Sequence, residues 1–324
     1  MKSQVTVLAI SNPAARYLAV LEELPGEARI VAADNPDTLR AAAGDAEVIL
    51  CGATQGGLLR EIWPAARSVK WVHSLAAGVD NVIFPELAAS EVPLTNARGV
   101  FRRSLAEFAI AGALFFAKDL RRMIRSQEAG VWDTFDTIGE LHGATLGIVG
   151  YGEIGRASAG LARAFGMRVV ALRRRPELCA GDPLVDRAFA PEQLRELLSI
   201  SDYVLAAAPL TAATRGLIGE DGIRAMKPDA VLINVGRGPV VDEAALIRAL
   251  RERRIRGAAL DVFEQEPLPA GHPFYSLDNV LLSAHSADHT PGWLESSVRC
   301  FVENFRRWVR GEPLLNVVDK RNGY

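Results

Sequence analysis

Apolar positions in the first hundred residues fall into short continuous runs, Val5–Ile10, Ala28–Ala33, Glu47–Cys51, Trp71–Ser74 and Pro93–Asn96, which read as strands. Between them, Pro13–Leu24, Asp37–Ala43 and Leu58–Ala66 carry helical spacing. The alternation predicts a parallel sheet with helices on its faces. A long helical pattern then runs from about Arg102 to Ala129, apolar early and basic late. A second alternating region follows, with strands expected near Leu146, at Arg168–Leu172, Tyr203–Ala208, Val231–Val235, Gly257–Val262 and Val280–Ser283. Helices are expected near Pro191–Leu198, Glu220–Met226 and Asp242–Arg253, and a last one at about Trp293–Arg310. No internal repeat suggests a solenoid.

The second region opens on a specific punctuation. A buried strand ending at Val149 runs into Gly150-Tyr151-Gly152-Glu153-Ile154-Gly155 and then a helix. In such a turn the first glycine permits the tight bend and the second lets backbone approach a pyrophosphate. The third lets the helix pack on the strand, its amino end facing the phosphates. A plain strand-to-helix turn is the bland alternative; the βαβ context favours the nucleotide site. Six parallel strands from Leu146 onward complete a doubly wound dinucleotide domain. The preceding 150 residues then need a fold of their own, and too little chain follows Ala287 for an independent core. The expected architecture is α/β with two domains. A Rossmann-type dinucleotide domain (98–287) is inserted into a flavodoxin-like substrate domain (1–97 plus 288–324), leaving a cleft between hinged lobes for a small ligand.

Composition narrows the class without changing this picture. A 324-residue chain, 49% apolar and 23% charged, is ordinary for two globular domains. Its net charge of −2 offers no field for nucleic acid or an acidic membrane. Cys51, Cys179 and Cys300 have no C-x-x-C or histidine pairing, which argues against disulfides and zinc and for reduced thiols. The start Met1–Val5 has no signal-like apolar core, and Phe108–Ala117 is too short to span a bilayer. A cytoplasmic protein is expected, with no membrane or nucleic-acid partner and no metal, because no histidine has ligand spacing.

Candidate chemistry sits at strand ends. Where an NAD site carries an acid about 20 residues after the fingerprint, this chain has Arg173-Arg174-Arg175 and no acid until Glu177. Guanidinium groups bind a 2′-phosphate bidentately, so NADP is the preferred cofactor, with NAD possible; a solvated basic turn is the alternative. Arg237 ends one strand beside two glycines, Glu266 follows another, and His285 a third. Each alone has a structural reading. Together they suit reduction of a 2-keto acid: the arginine clamps carboxylate and keto oxygen, the histidine supplies the proton, and the acid raises the histidine pKa.

These segments give a specific resemblance. Gly150–Gly155, the run Pro209–Ile218, Asn234–Gly238 with Pro239–Leu246, Ala259–Pro267 and the strand before His285 resemble the D-isomer-specific 2-hydroxyacid dehydrogenase family over nearly the full length. The resemblance implies glyoxylate/hydroxypyruvate reductase-like activity with Arg237, Glu266 and His285 catalytic. It further implies that Asp261 holds the nicotinamide carboxamide, that Pro209, Thr214 and Val235 line the cofactor cleft, and that Glu153 and Ile154 offer backbone contacts to the pyrophosphate. Ser74–Asp80 is similar to the family's substrate loop, implying that Ala76, Ala77 and Gly78, with Arg237, receive the substrate carboxylate. The helix after Asn96-Ala97-Arg98-Gly99, with Trp132 beyond it, resembles the family's dimer contact, so a homodimer is expected.

There are departures. Ala284 stands where the family often has proline, and Ser286-Ala287-Asp288-His289 replaces small residues, so Asp288 and His289 either shape substrate choice or mark the hinge. Ser104–Glu107 also differs slightly from the family's pattern. His73 is expected in the core or anchoring the substrate loop, and His142 and His272 facing solvent. Two other functions stay in view: a sister oxidoreductase such as a phosphite oxidiser, and a nucleotide-sensing corepressor or scaffold. The formate-type sister lacks the glutamate, which argues against it here.

Overall fold

The computed structural model describes residues 4–323 and divides into two compact units. One runs to Phe101 and resumes at Thr290; the other is Arg102–His289. In the first, strands β1 (Val5–Ile10), β2 (Ala28–Ala33), β3 (Val48–Cys51), β4 (Trp71–Ser74) and β5 (Leu94–Asn96) pair in the order β2-β1-β3-β4-β5. Every pairing is parallel. That order is the flavodoxin-like one.

Alternation along β1 explains its two dry faces. Leu8 and Ile10 pack with Leu39 of α1 (Pro36–Ala43), Leu59 of α2 (Gly56–Ile62) and Leu87 of α3 (Pro85–Ala89). Val7 and Ala9 face the opposite side. Helix α1 starts where Asn35 accepts the Thr38 N–H at 2.9 Å and Pro36 pre-sets the first turn. Proline also shortens one expected helix: α2 gives way at Trp63-Pro64 to a 3-10 turn. The expected helix Pro13–Leu24 forms only a 3-10 segment, Arg16–Glu23. α3 is a five-residue helix that the periodicity did not flag.

The second unit begins with α4 (Arg102–Ala117) and α5 (Leu120–Glu128) rather than one helix to Ala129. The break is at Asp119, whose φ of 48° is left-handed and cannot continue a right-handed helix. Then come β6 (Thr145–Val149), α6 (Glu153–Ala164), β7 (Arg168–Leu172), β8 (Arg187–Phe189), α7 (Leu194–Ile200), β9 (Tyr203–Ala206), α8 (Glu220–Ala225), β10 (Val231–Asn234), α9 (Glu243–Arg251), β11 (Gly257–Leu260) and β12 (Val280–Leu282). The sheet order is β12-β11-β10-β9-β6-β7-β8, all parallel.

The expected six strands are therefore seven. The missed one, β8, has only three residues and one partner, held by Asp186, which accepts the Val169 N–H and the Arg163 guanidinium. Order reverses between β6 and β9, and the carboxyl ends of strands at such a reversal form the ligand crevice of an open sheet.

Helix α10 (Trp293–Val309) belongs to the first unit. Val298, Phe301, Val302 and Phe305 form one apolar stripe at helical spacing, buried against Val7, Leu50 and Trp71. Trp71 stacks on Phe301 with ring centroids 5.1 Å apart. His73 lies in this core, fully buried, its Nδ1 2.7 Å from the Thr95 hydroxyl. Burial pushes its pKa down to about 3, so the ring is neutral. It is a core residue. His142 is exposed as expected.

Candidate active site

The glycine turn has the geometry its three positions require. Gly150 has φ of 101°, and a Cβ there would fall 2.5 Å from the Ala208 nitrogen. At Gly155 a Cβ would lie 2.7 Å from the Gly150 carbonyl, so only hydrogen lets α6 close on β6. Gly152 meets nothing within 4 Å, leaving open space before the first turn of α6. That helix carries no side-chain cap, so its amino-end N–H groups stay available to an anion. Glu153 pairs with Arg102 at 3.1 Å and points no acid at that space, while Ile154 spends its carbonyl on the Ser158 hydroxyl.

Three side chains arrive from neighbouring strand ends of the same sheet. Asn234 closes β10 and braces the next turn, its amide accepting the Gly236 N–H and donating to the Arg237 carbonyl. Gly238 must be glycine, because a Cβ would sit 1.9 Å from the Phe263 carbonyl carbon. Beyond β11, the Phe263 N–H donates to Glu266 Oε1 at 2.9 Å, which turns Oε2 toward His285. Beyond β12, His285 adopts a left-handed φ of 50° and brings Nδ1 to 2.6 Å from Glu266 Oε2.

The electrostatics of the pair are reciprocal. The hydrogen bond to Glu266 raises the His285 pKa; burial and the nearby Arg237 charge oppose this without reversing it. Burial pushes Glu266 upward, but the bonds from His285 and the Phe263 N–H, with the charges of His285 and Arg237, leave it below the usual carboxylate range. The result is an ionised acid beside an imidazole that holds its proton longer than a free one. With Nδ1 engaged, Nε2 is the atom able to pass a proton outward.

Against known proteins, residues 110–287 match the family model described as D-isomer specific 2-hydroxyacid dehydrogenase, NAD binding domain. A glyoxylate reductase of Korarchaeum cryptofilum is 37% identical over 80% of this chain and 79% of its own length. The chain belongs to the D-isomer specific 2-hydroxyacid dehydrogenase family. Among solved structures, a family member from Xanthobacter autotrophicus Py2, in complex with NADPH and MES, superposes with a TM-score of 0.80. It is 32% identical, covering 99% of this chain and 100% of that one. An NADPH-dependent glyoxylate/hydroxypyruvate reductase from Sinorhizobium meliloti, bound to NADP and malonate, gives 0.81 at 28% identity, covering 99% and 98%.

The remaining positions expected of a 2-hydroxyacid dehydrogenase are placed as follows. Asp261, at the end of β11, is 1% exposed. Its Oδ1 accepts the Ser286 and Ala287 N–H groups at 2.9 and 3.1 Å, and its carbonyl accepts that of His285. Its Oδ2 is buried without a partner among the described residues, an orphan acceptor that suits an amide donor such as a carboxamide. Thr214 donates to the Pro209 carbonyl and accepts the Thr211 N–H, closing the turn after β9. Val235 is buried, its N–H on the Ala206 carbonyl. Arg173, partly buried, and Arg174 and Arg175, both exposed, follow β7 at its carboxyl end.

In the first unit, Ala76, Ala77 and Gly78 are partly exposed; the Asn96 amide holds the Ala77 carbonyl at 2.6 Å. Asp288 is 18% exposed, its pKa raised by burial, with His289 at 3.8 Å. His272 is not solvated as expected: it is 15% exposed and paired with Glu243 at 3.2 Å. Neither partner stood out in the sequence. Glu243 reads as an ordinary acid in a first helical turn, and no local spacing links it to a residue so far downstream. Among the described residues no group of three or more metal-ligating side chains assembles, and no helix is long and apolar enough to cross a membrane.

Proposed function

We propose that this family member reduces a small 2-keto acid of the glyoxylate or hydroxypyruvate kind to the D-2-hydroxy acid, preferring NADPH. The observation that carries the reading is the 2.6 Å bond between His285 and Glu266 at the ends of adjacent strands. NADPH, when bound, supplies the hydride. His285 gives its Nε2 proton to the oxygen that becomes the hydroxyl, and Glu266 holds the imidazolium before transfer. Arg237 binds the keto acid through its charge, and the N–H groups of Ala76, Ala77 and Gly78 are suited to a carboxylate. Asp261 orients the carboxamide, and the α6 amino end with Gly150, Gly152 and Gly155 receives the pyrophosphate, Glu153 and Ile154 through their backbone. Pro209, Thr214 and Val235 line the cofactor site, and the Arg173–Arg175 turn binds the 2′-phosphate. The domain roles follow, with residues 98–287 serving the nucleotide and 1–97 with 288–324 serving the substrate.

The test is steady-state reduction of glyoxylate, hydroxypyruvate, pyruvate and bulkier keto acids with each nucleotide. The two small substrates with NADPH should give the highest kcat/KM, and no turnover on any of them would overturn the reading.

The same reading includes a homodimer and a cytoplasmic location. Support for the dimer lies in one segment of the second unit, where Met123, Ile124, Val131, Trp132 and Ile138 are all exposed, Trp132 at 93%. So much apolar surface in one short stretch marks a contact surface rather than scattered solvent-facing residues. Trp132→Glu should shift the sedimenting species from dimer to monomer, and an unchanged mass would remove this segment from the contact.

A further inference from the structure

The turn that presents Glu266 is tied at its base by a second acid–imidazole pair, which the proposed reaction does not use. Glu243, the first residue of α9, extends Oε2 to the Glu264 N–H at 3.1 Å and Oε1 to His272 Nε2 at 3.2 Å. Both side chains are largely withdrawn from water, 17% and 15% exposed.

The contacts assign the two ring nitrogens of His272 different roles: Nδ1 accepts the Phe274 N–H at 3.4 Å, which leaves Nε2 to donate to Glu243. Glu243 thus accepts two hydrogen bonds, one on each oxygen. Two acids thereby grip adjacent backbone groups of one turn: Glu266 takes the Phe263 N–H and Glu243 the Glu264 N–H. The Phe263 carbonyl also rests against Gly238, so the turn is held between the Arg237 segment and α9.

We propose that Glu243, braced by His272, is a positioning residue: it fixes the Phe263–Glu266 turn so that Glu266 presents its outer oxygen to His285. The inference rests on the reading of Glu266 and His285 given above and adds the groups that keep them together. Without the Glu243 carboxylate, the partly buried His272 Nε2–H loses its acceptor and the exposed Glu264 N–H is released to water. The turn moves with it, and the Glu266–His285 bond lengthens. His285 then releases its proton at lower pH, so reduction, which needs the protonated ring, fails at lower pH. Nucleotide binding is untouched, because neither Glu243 nor His272 belongs to the glycine turn or the arginine segment.

The experiment is the pH profile of kcat/KM for keto-acid reduction in the full chain, with Glu243→Ala, Glu243→Gln, His272→Gln and Glu266→Gln. In Glu243→Ala the falling alkaline limb should move down by about one pH unit, with kcat at pH 8 reduced about tenfold and KM for NADPH within about twofold. Glu243→Gln keeps an acceptor for the Glu264 N–H but sets a donor against His272, so it should fall between Ala and wild type.

If Glu266→Gln moves the limb and Glu243→Ala does not, the positioning role is overturned, even where the melting temperature falls. If Glu266→Gln itself leaves the limb in place, it is the acid pair of the proposed function that fails. Should Glu243→Ala not fold, unmoved limbs in both Glu243→Gln and His272→Gln overturn the proposal.

Discussion

His285→Gln should lose about 10²–10⁴-fold in kcat for keto-acid reduction while binding NADPH as before. Glutamine has the length to reach Glu266 and, like histidine, no branch at Cβ, so it fits the left-handed backbone at this position without the clash a valine would bring. What it lacks is a titratable proton. The loss should therefore appear in kcat, with nucleotide affinity by fluorescence titration unchanged.

The sign of the pH dependence follows from the raised pKa of His285. Reduction draws on the imidazolium, so its rate is full below that pKa and declines as pH rises through it. Oxidation of the hydroxy acid draws on the neutral ring and climbs over the same interval. A variant that reduces keto acids at the wild-type rate, or a reduction rate that rises and an oxidation rate that falls over that interval, would remove His285 as proton donor.

Replacing Arg173 by Asp together with Arg174 by Ser should reverse the nucleotide preference. Charge-assisted hydrogen bonds to a phosphate contribute about 1.5–3 kcal/mol, so kcat/KM with NADPH should fall about 10–100-fold. NADH has no 2′-phosphate to lose, and an aspartate there offers acceptors to the free ribose hydroxyls, so its kcat/KM should hold or improve. The two positions follow β7 on the same edge as the glycine turn, with Arg173 joined to β8 through its N–H on the Phe189 carbonyl. A ratio of the two kcat/KM values that does not move would place phosphate recognition on other residues.

Strand positions were legible because a parallel sheet covered on both faces writes itself as continuous apolar runs; β1, β4 and β7 begin and end where those runs do. The glycine turn was legible because its chemistry depends on what is missing at three fixed positions. Elements that depend on tertiary contacts were not. β8 exists through Asp186 and a single neighbour, and α4 and α5 part at a backbone dihedral that no residue pattern announces. At the site, Arg237, Glu266 and His285 could be found because each follows a recognisable strand. Glu243 and His272 could not, since their meaning lies in a contact between residues far apart along the chain.

One carboxyl group, that of Asp261, has its two oxygens assigned to different tasks. Oδ1 secures the backbone just after His285, and Oδ2, buried without a partner among the described residues, is the acceptor proposed for the nicotinamide carboxamide. On the proposed reading, the groups that hold the hydride source and the proton source would thereby meet on the two oxygens of one carboxyl group. A shift of one would then carry the other with it, through the side chain that both engage.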